Sequence, residues 1–198
     1  ARLAFKKAMA LNPHSAKIAN NLGVLTRDIG KLNKALGYFK KALEIEPNLA
    51  EAHNNLGMTL NEIGRFKEAE ASLNHAITLK SDYVEAYNNL GSTLKELGKF
   101  EECESSYNKA IALNPDYALT HYNLGNLLHQ LGRLDEAEAR YSKAISLNPN
   151  FAEAWNNIFF TLKTLQTQNA LEKELLPKIN DLPNTQYSEI AKIILNYK

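Results

Sequence analysis

Small and apolar residues recur at steps of three and four along most of this chain, with polar residues between them. Over 50–63, Ala52, Leu56, Gly57, Leu60 and Ile63 fall on one side of a helix of 3.6 residues per turn. Over 66–79, Phe66, Ala69, Leu73, Ala76, Ile77 and Leu79 repeat the pattern, so two successive amphipathic helices are predicted. Gly64 separates them, because glycine adopts the left-handed conformation past a helix C-terminus at no steric cost. A helical hairpin follows. Gly57 and Ala76 present almost no side chain and let the two helices approach closely, while Leu56, Leu60 and Leu73 fill the space around them. Proline, which cannot continue a helix interior, then starts the next turn.

The hairpin recurs. Asn-Leu-Gly stands at Asn21-Leu22-Gly23, Asn55-Leu56-Gly57, Asn89-Leu90-Gly91 and Asn123-Leu124-Gly125, a period of 34 residues. Further columns keep the same register. One holds Ala35, Ala69, Cys103 and Ala137, the next Phe39, Leu73, Tyr107 and Tyr141, and a third Ala42, Ala76, Ala110 and Ala144. Pro13, Pro47, Pro115 and Pro149 punctuate the units, with Ser81 where one proline is missing. A 34-residue period carrying these columns resembles the tetratricopeptide repeat, over residues 1 to about 165. The resemblance implies an all-α fold, a right-handed superhelical solenoid of antiparallel helix hairpins, with the first helix of each pair lining a concave side.

Complete repeats are expected at 16–49, 50–83, 84–117 and 118–151. Residues 1–15 read as the second helix of a truncated repeat, so the chain is expected to be a fragment of a longer solenoid. Residues 152–198 read as a degenerate first helix followed by covering helices, since Phe159 replaces the glycine and no alanine columns follow. In the last segment Tyr187, Ile190, Ile193, Ile194 and Tyr197 share one face.

On a wheel of about 100° per residue, Glu51, Asn54, Asn55, Met58, Asn61 and Glu62 occupy an arc of roughly 120° opposite the hairpin core. Repetition turns this arc into a candidate peptide-binding groove. Its main column is Asn21, Asn55, Asn89, Asn123 and Asn157, and the column beside it is Asn20, Asn54, Asn88, Tyr122 and Asn156. Met58 and Asn126 complete the nominated set, with Phe160 as a further apolar contact. Each carboxamide offers an acceptor and two donors, so a spaced series can pair with successive peptide groups of an extended chain whatever its sequence. The series is similar to that in the repeat arm of O-GlcNAc transferase. The same asparagines can instead bond to neighbouring helices. A carboxylate clamp of the kind found in chaperone-tail adaptors is not matched, because its lysine and arginine positions hold asparagine or Tyr122.

Composition narrows the function. Lys+Arg 23 against Asp+Glu 22 gives a net charge of +1, too balanced for the basic surface that holds a phosphate backbone, so no nucleic-acid partner is expected. Apolar runs fall far short of the ~20 residues that span a bilayer, and no membrane partner is expected. The single Cys103 takes a small-residue column, cannot form an internal disulfide, and fits a reducing compartment. This favours the cytoplasm and leaves localisation open. His53 and His121 sit two repeats apart in the column filled elsewhere by Tyr87 and Trp155, and His14, His75 and His129 lie in different parts of the hairpins. No metal-ligand spacing results. The stretch 91–100 has six residues between its glycines and Phe100 where a phosphate loop needs Ser or Thr. No catalytic residue, metal or cofactor is expected. The chain reads as a non-catalytic scaffold for a protein or peptide. Two alternatives are the recruiting arm of a larger transferase, such as a glycosyltransferase or sulfotransferase, and a scaffold that self-assembles as a homo-oligomer through Leu3, Phe5 and Met9 of its open half-repeat.

Overall fold

A computed structural model describes residue 12 and residues 14–164. Among them are nine α-helices and no strands. The second helix of the truncated repeat and the C-terminal covering helices, expected within 1–15 and beyond 165, lie outside the described residues, as do Leu3, Phe5 and Met9.

The chain divides into two compact units, Ala1–Pro115 and Asp116–Lys198. The first holds α1 (Ala16–Asp28), α2 (Leu32–Ile45), α3 (Ala50–Glu62), α4 (Phe66–Leu79), α5 (Val84–Glu96) and α6 (Phe100–Leu113). The second holds α7 (Ala118–Gln130), α8 (Leu134–Leu147) and α9 (Ala152–Thr164). Odd-numbered helices are the first of each pair and even-numbered ones the second.

Sequence accounts directly for the hairpins. Gly64 has φ 80°, a left-handed conformation costly for a residue with a Cβ, and its N–H donates to the Asn61 carbonyl at 2.9 Å while Arg65 N donates to Leu60 O at 2.9 Å. This closes α3 and turns the chain into α4. At the crossing the repeat glycine is needed for space. A Cβ on Gly91 would lie 2.5 Å from Tyr107 Cε1, and one on Gly57 would lie 2.6 Å from Leu73 Cγ. Phe39, Leu73, Tyr107 and Tyr141, one column of the sequence, are all buried against these glycines or their equivalents. Ala42, Ala76 and Ala110 are fully buried, as small residues must be where backbones come close.

Between successive pairs of the first unit, Leu36 and Phe39 of the first pair pack with Leu56, Leu60 and Ala69 of the second. Ala42 meets Ala16, Ala19 and Ala52 in a second cluster. Truncating Phe39 to alanine would therefore remove contacts to two repeats, a loss of about 3–5 kcal/mol for a buried aromatic. Ser15 caps α1, its hydroxyl accepting from Ile18 N at 3.3 Å, but the later first helices have no side-chain cap at their N-terminal boundary. At the starts of α3 and α5 the backbone supplies the first bonds, Ala52 N and His53 N donating to Leu49 O, and Ala86 N and Tyr87 N to Tyr83 O.

Candidate functional site: asparagine rungs on the first helices

In the first unit, α1, α3 and α5 run side by side, and the two asparagine columns meet between them. Asn55 Nδ2 donates to Asn20 Oδ1 at 3.0 Å, and Asn89 Nδ2 donates to Asn54 Oδ1 at 2.9 Å. Each bond spans 35 residues, one repeat plus one position, so it is a rung from one first helix to the next. Arg27 and Glu62 follow the same offset, with Arg27 Nε 3.9 Å from Glu62 Oε1 and Arg27 Nη2 3.5 Å from Asp28 Oδ1.

These bonds correct the wheel. Asn20, Asn54 and Asn88 were placed on an open groove, but they are 3%, 5% and 3% exposed. The wheel treated each hairpin as isolated, whereas an inner first helix is also covered by the first helices before and after it. A buried carboxamide must then find a partner, since an unsatisfied polar group costs about 1–3 kcal/mol. For Asn20 and Asn54 the next repeat supplies one. The same crowding buries Thr59 and Thr93, whose hydroxyls donate to the carbonyls of Asn55 and Asn89 four residues earlier.

Asn21, Asn55 and Asn89 remain half-buried, as does Met58. Asn55 and Asn89 each spend one N–H on a rung. Their Oδ1 atoms and second N–H groups form no other hydrogen bond among the described residues, and the Oδ1 atoms are not sealed from solvent. These carboxamides can therefore still offer one donor and one acceptor, the complement of a peptide group.

The second unit is built differently. Asn157 Nδ2 donates to Asn126 Oδ1 at 2.7 Å and lies 3.4 Å from the Tyr122 hydroxyl, while the Tyr141 hydroxyl donates to the same Asn126 oxygen at 2.9 Å. Asn126, nominated as a peptide contact, thus has its oxygen committed to two internal donors. Burial pushes the Tyr141 phenol up to about 12, so it stays a donor at neutral pH. Tyr122 packs on Phe151, ring centroids 4.7 Å apart, and is half-buried. Asn123 is half-buried, Asn156 is exposed, and Phe160 is 59% exposed with its ring edge-on to Phe159.

Other side chains the sequence singled out are structural. Cys103 is fully buried and desolvation lifts its thiol to about 12, which leaves it protonated. His53 and His75, read as unrelated, come together with ring centroids 4.3 Å apart. The sequence hides this because the two belong to different helices of one hairpin. His53 Nε2 donates to the Pro47 carbonyl at 2.8 Å, and Trp155 Nε1 makes the equivalent bond to Pro149 at 2.9 Å. The column of His53 and Trp155 therefore ties a ring N–H to the turn before its own helix, a role that column-by-column inspection of ring nitrogens could have suggested. Among the described residues no three His, Cys, Asp or Glu side chains gather as a metal ion would require, and no helix is long and apolar enough to cross a membrane.

Known proteins share this architecture. The chain is 26% identical to YrrB, described as a TPR protein with an unusual peptide-binding site, covering 97% of this chain and 99% of that one with a TM-score of 0.65. It is 30% identical to the MamA protein over 86% of this chain and 97% of that one, with a TM-score of 0.66. The pilF protein of Pseudomonas aeruginosa shares the fold at 20% identity, with a TM-score of 0.75 over 96% of this chain and 87% of that one. No curated protein matches the sequence at a significant level. The tetratricopeptide-repeat family model matches residues 14–82 and 82–150, the stretches that hold the glycine and alanine columns. With that register, those paired helices and those structural relatives, the chain belongs to the tetratricopeptide-repeat family.

Proposed function

We propose that this chain is a non-catalytic binding module that holds an extended polypeptide against its first helices through Asn55 and Asn89. Proteins of this family mediate protein–protein interaction. The observation that supports the finer reading is the divided use of each carboxamide: one N–H fixes it to the preceding helix, and the second N–H and the oxygen have no hydrogen bond among the described residues. The rung holds the carboxamide in one orientation, so less side-chain freedom is lost when a peptide binds. Because the contact is to the backbone, it tolerates varied sequences. Half-buried Met58, on the same face of α3, gives an adaptable apolar surface beside it.

The test is to pass the purified chain over a proteome-derived peptide library and measure the affinity of the retained peptides. Asn55→Ala with Asn89→Ala should weaken them about tenfold or more, the scale of two hydrogen bonds. Asn20→Ala removes a rung but leaves the Asn55 carboxamide in place, and should weaken them less. Equal affinity for the parent and the double variant, with helicity intact, would reject the reading.

A further inference from the structure

On the side of the second helices, the first unit has two successive seams, and they differ. Between α2 and α4 the seam is filled. Leu36 is buried there, and His75 lies against His53. Thirty-four residues further on, Glu70 stands where Leu36 was, Tyr87 where His53 was, and Lys109 where His75 was. The α4–α6 seam is consequently an open groove of about 740 Å³. Tyr87, Leu90 and Leu94 of α5 form its floor. Glu70 and Asn74 of α4 edge one side, and Glu101, Glu102 and Lys109 of α6 edge the other.

One substitution in the repeat leaves a carboxylate of this groove without its usual partner. In two other pairs the residue before the second helix is arginine and bonds the glutamate three positions on: Arg65 Nε to Glu68 at 2.7 Å, and Arg133 Nε to Glu136 at 2.7 Å. In α6 the same position is Lys99, which reaches back to Glu70 at 2.6 Å. Glu102 is left without that partner. Neither Glu101 nor Glu102 forms an ion pair or hydrogen bond through its side chain among the described residues, and both are exposed. The preceding seam has Lys40 and Lys67 at the positions of Asn74 and Glu101, so it lacks this negative rim; the following repeat keeps acidic residues at the positions of Glu70, Glu101 and Glu102, namely Glu104, Asp135 and Glu136, but there Glu136 is bonded by Arg133.

We propose that the α4–α6 groove is a second docking surface, for a segment of a partner protein carrying lysine or arginine on either side of an apolar residue. The apolar side chain rests on Tyr87, Leu90 and Leu94, and its basic neighbours reach Glu101 and Glu102. The occupant is set by charge complementarity: with Glu70 paired to Lys99, Glu101 and Glu102 outnumber Lys109 in the lining, so the groove, over a partly apolar floor, attracts cations and disfavours acidic segments. Asn74 and Ser105 offer hydrogen bonds to its backbone. This surface is formed by the second helices with α5 as floor and does not use the asparagine rungs.

Fluorescence anisotropy with a labelled peptide alternating lysine and leucine, and with its glutamate-for-lysine counterpart, tests the proposal. The lysine peptide should bind and the glutamate peptide should not. Glu101→Lys with Glu102→Lys should weaken binding about tenfold or more, as charge reversal at an interface does. Ser105→Trp, which fills the groove without changing charge, should weaken it as well. Reversing Glu44 and Glu46 to lysine, outside the groove, should leave affinity unchanged, and so should Asn55→Ala with Asn89→Ala. The proposal is overturned if the lysine peptide does not bind, if the groove reversals have no effect, if Ser105→Trp leaves binding intact, or if reversal at Glu44 and Glu46 weakens binding equally. Loss of binding in the asparagine variant would place the lysine peptide on the first helices instead.

Discussion

The first helices of the two units join their neighbours by different means. In the first unit each rung is a bond between two asparagines, Asn55 to Asn20 and Asn89 to Asn54, and the tyrosine beneath Gly91 takes no part in it, its hydroxyl lying 3.0 Å from Ser92 Oγ. In the second unit Asn126 accepts from both Asn157 and Tyr141, so the rung is tied to the tyrosine beneath Gly125. A repeat can thus keep its backbone period while changing which side chains connect one unit to the next. Where the rung engages a single N–H of Asn55 or Asn89, the rest of the carboxamide makes no hydrogen bond among the described residues. Where the tyrosine joins, the oxygen of Asn126 is taken up internally.

The strongest way to probe this difference is to displace the two tyrosines. Gly91→Val and Gly125→Val would place Cβ 2.5 Å from Tyr107 Cε1 and 2.7 Å from Tyr141 Cε1, and each should cost about 3 kcal/mol in urea unfolding through overpacking. Only Gly125→Val should also shift the side-chain amide resonances of Asn126 and Asn157. Equal disturbance of the Asn54–Asn89 rung by Gly91→Val would erase the distinction.

Removing the acceptors should give a smaller contrast. Asn126→Ala leaves two donors without a partner and should cost about 2 kcal/mol, whereas Asn20→Ala strands only the Asn55 donor and should cost about 1 kcal/mol. Urea unfolding of both variants checks the order. Tyr141→Phe deletes one of the two donors and should cost about 1 kcal/mol, with a change at Asn126. Tyr107→Phe should change no asparagine resonance.

The smallest effect is one of pH. Desolvation holds His53 below its ordinary pKa, the Pro47 carbonyl bond opposes this, and the neighbouring His75 adds to the lowering. The unfolded chain therefore binds more protons than the folded one between the two pKa values, and stability rises with pH there. The contribution is complete above about 6.5, the ordinary histidine value, and is lost as pH falls through the folded value. Trp155, which makes the same bond in the second unit, does not titrate. Thermal melts between pH 7.5 and 5.5 should show acid destabilisation that His53→Trp reduces; an unchanged pH profile in that variant would assign the effect to other groups.

Much of this protein was readable as sequence. The hairpins were, because a left-handed glycine, a proline and the three- and four-residue apolar steps act within one repeat: Gly64 and the Gly57–Leu73 contact follow from local rules. The asparagine columns themselves were also visible, as a repeated residue type at a fixed register. The burial of Asn20, Asn54 and Asn88 was not, since it arises only when a third helix covers a face that a single hairpin leaves open. Nor was the meeting of His53 with His75, whose positions 22 residues apart are made neighbours by the antiparallel pairing.

By itself the sequence determined the repeat, its period, its helix pairs and the small residues at their crossings, because each depends on backbone conformation and steric fit inside 34 residues. Tertiary structure alone decided which carboxamides are spent on rungs, which tyrosine reaches which asparagine, and which seam is left open with unpaired carboxylates. Those outcomes depend on side chains about one repeat apart competing for the same few ångströms, and a periodic pattern does not encode who wins.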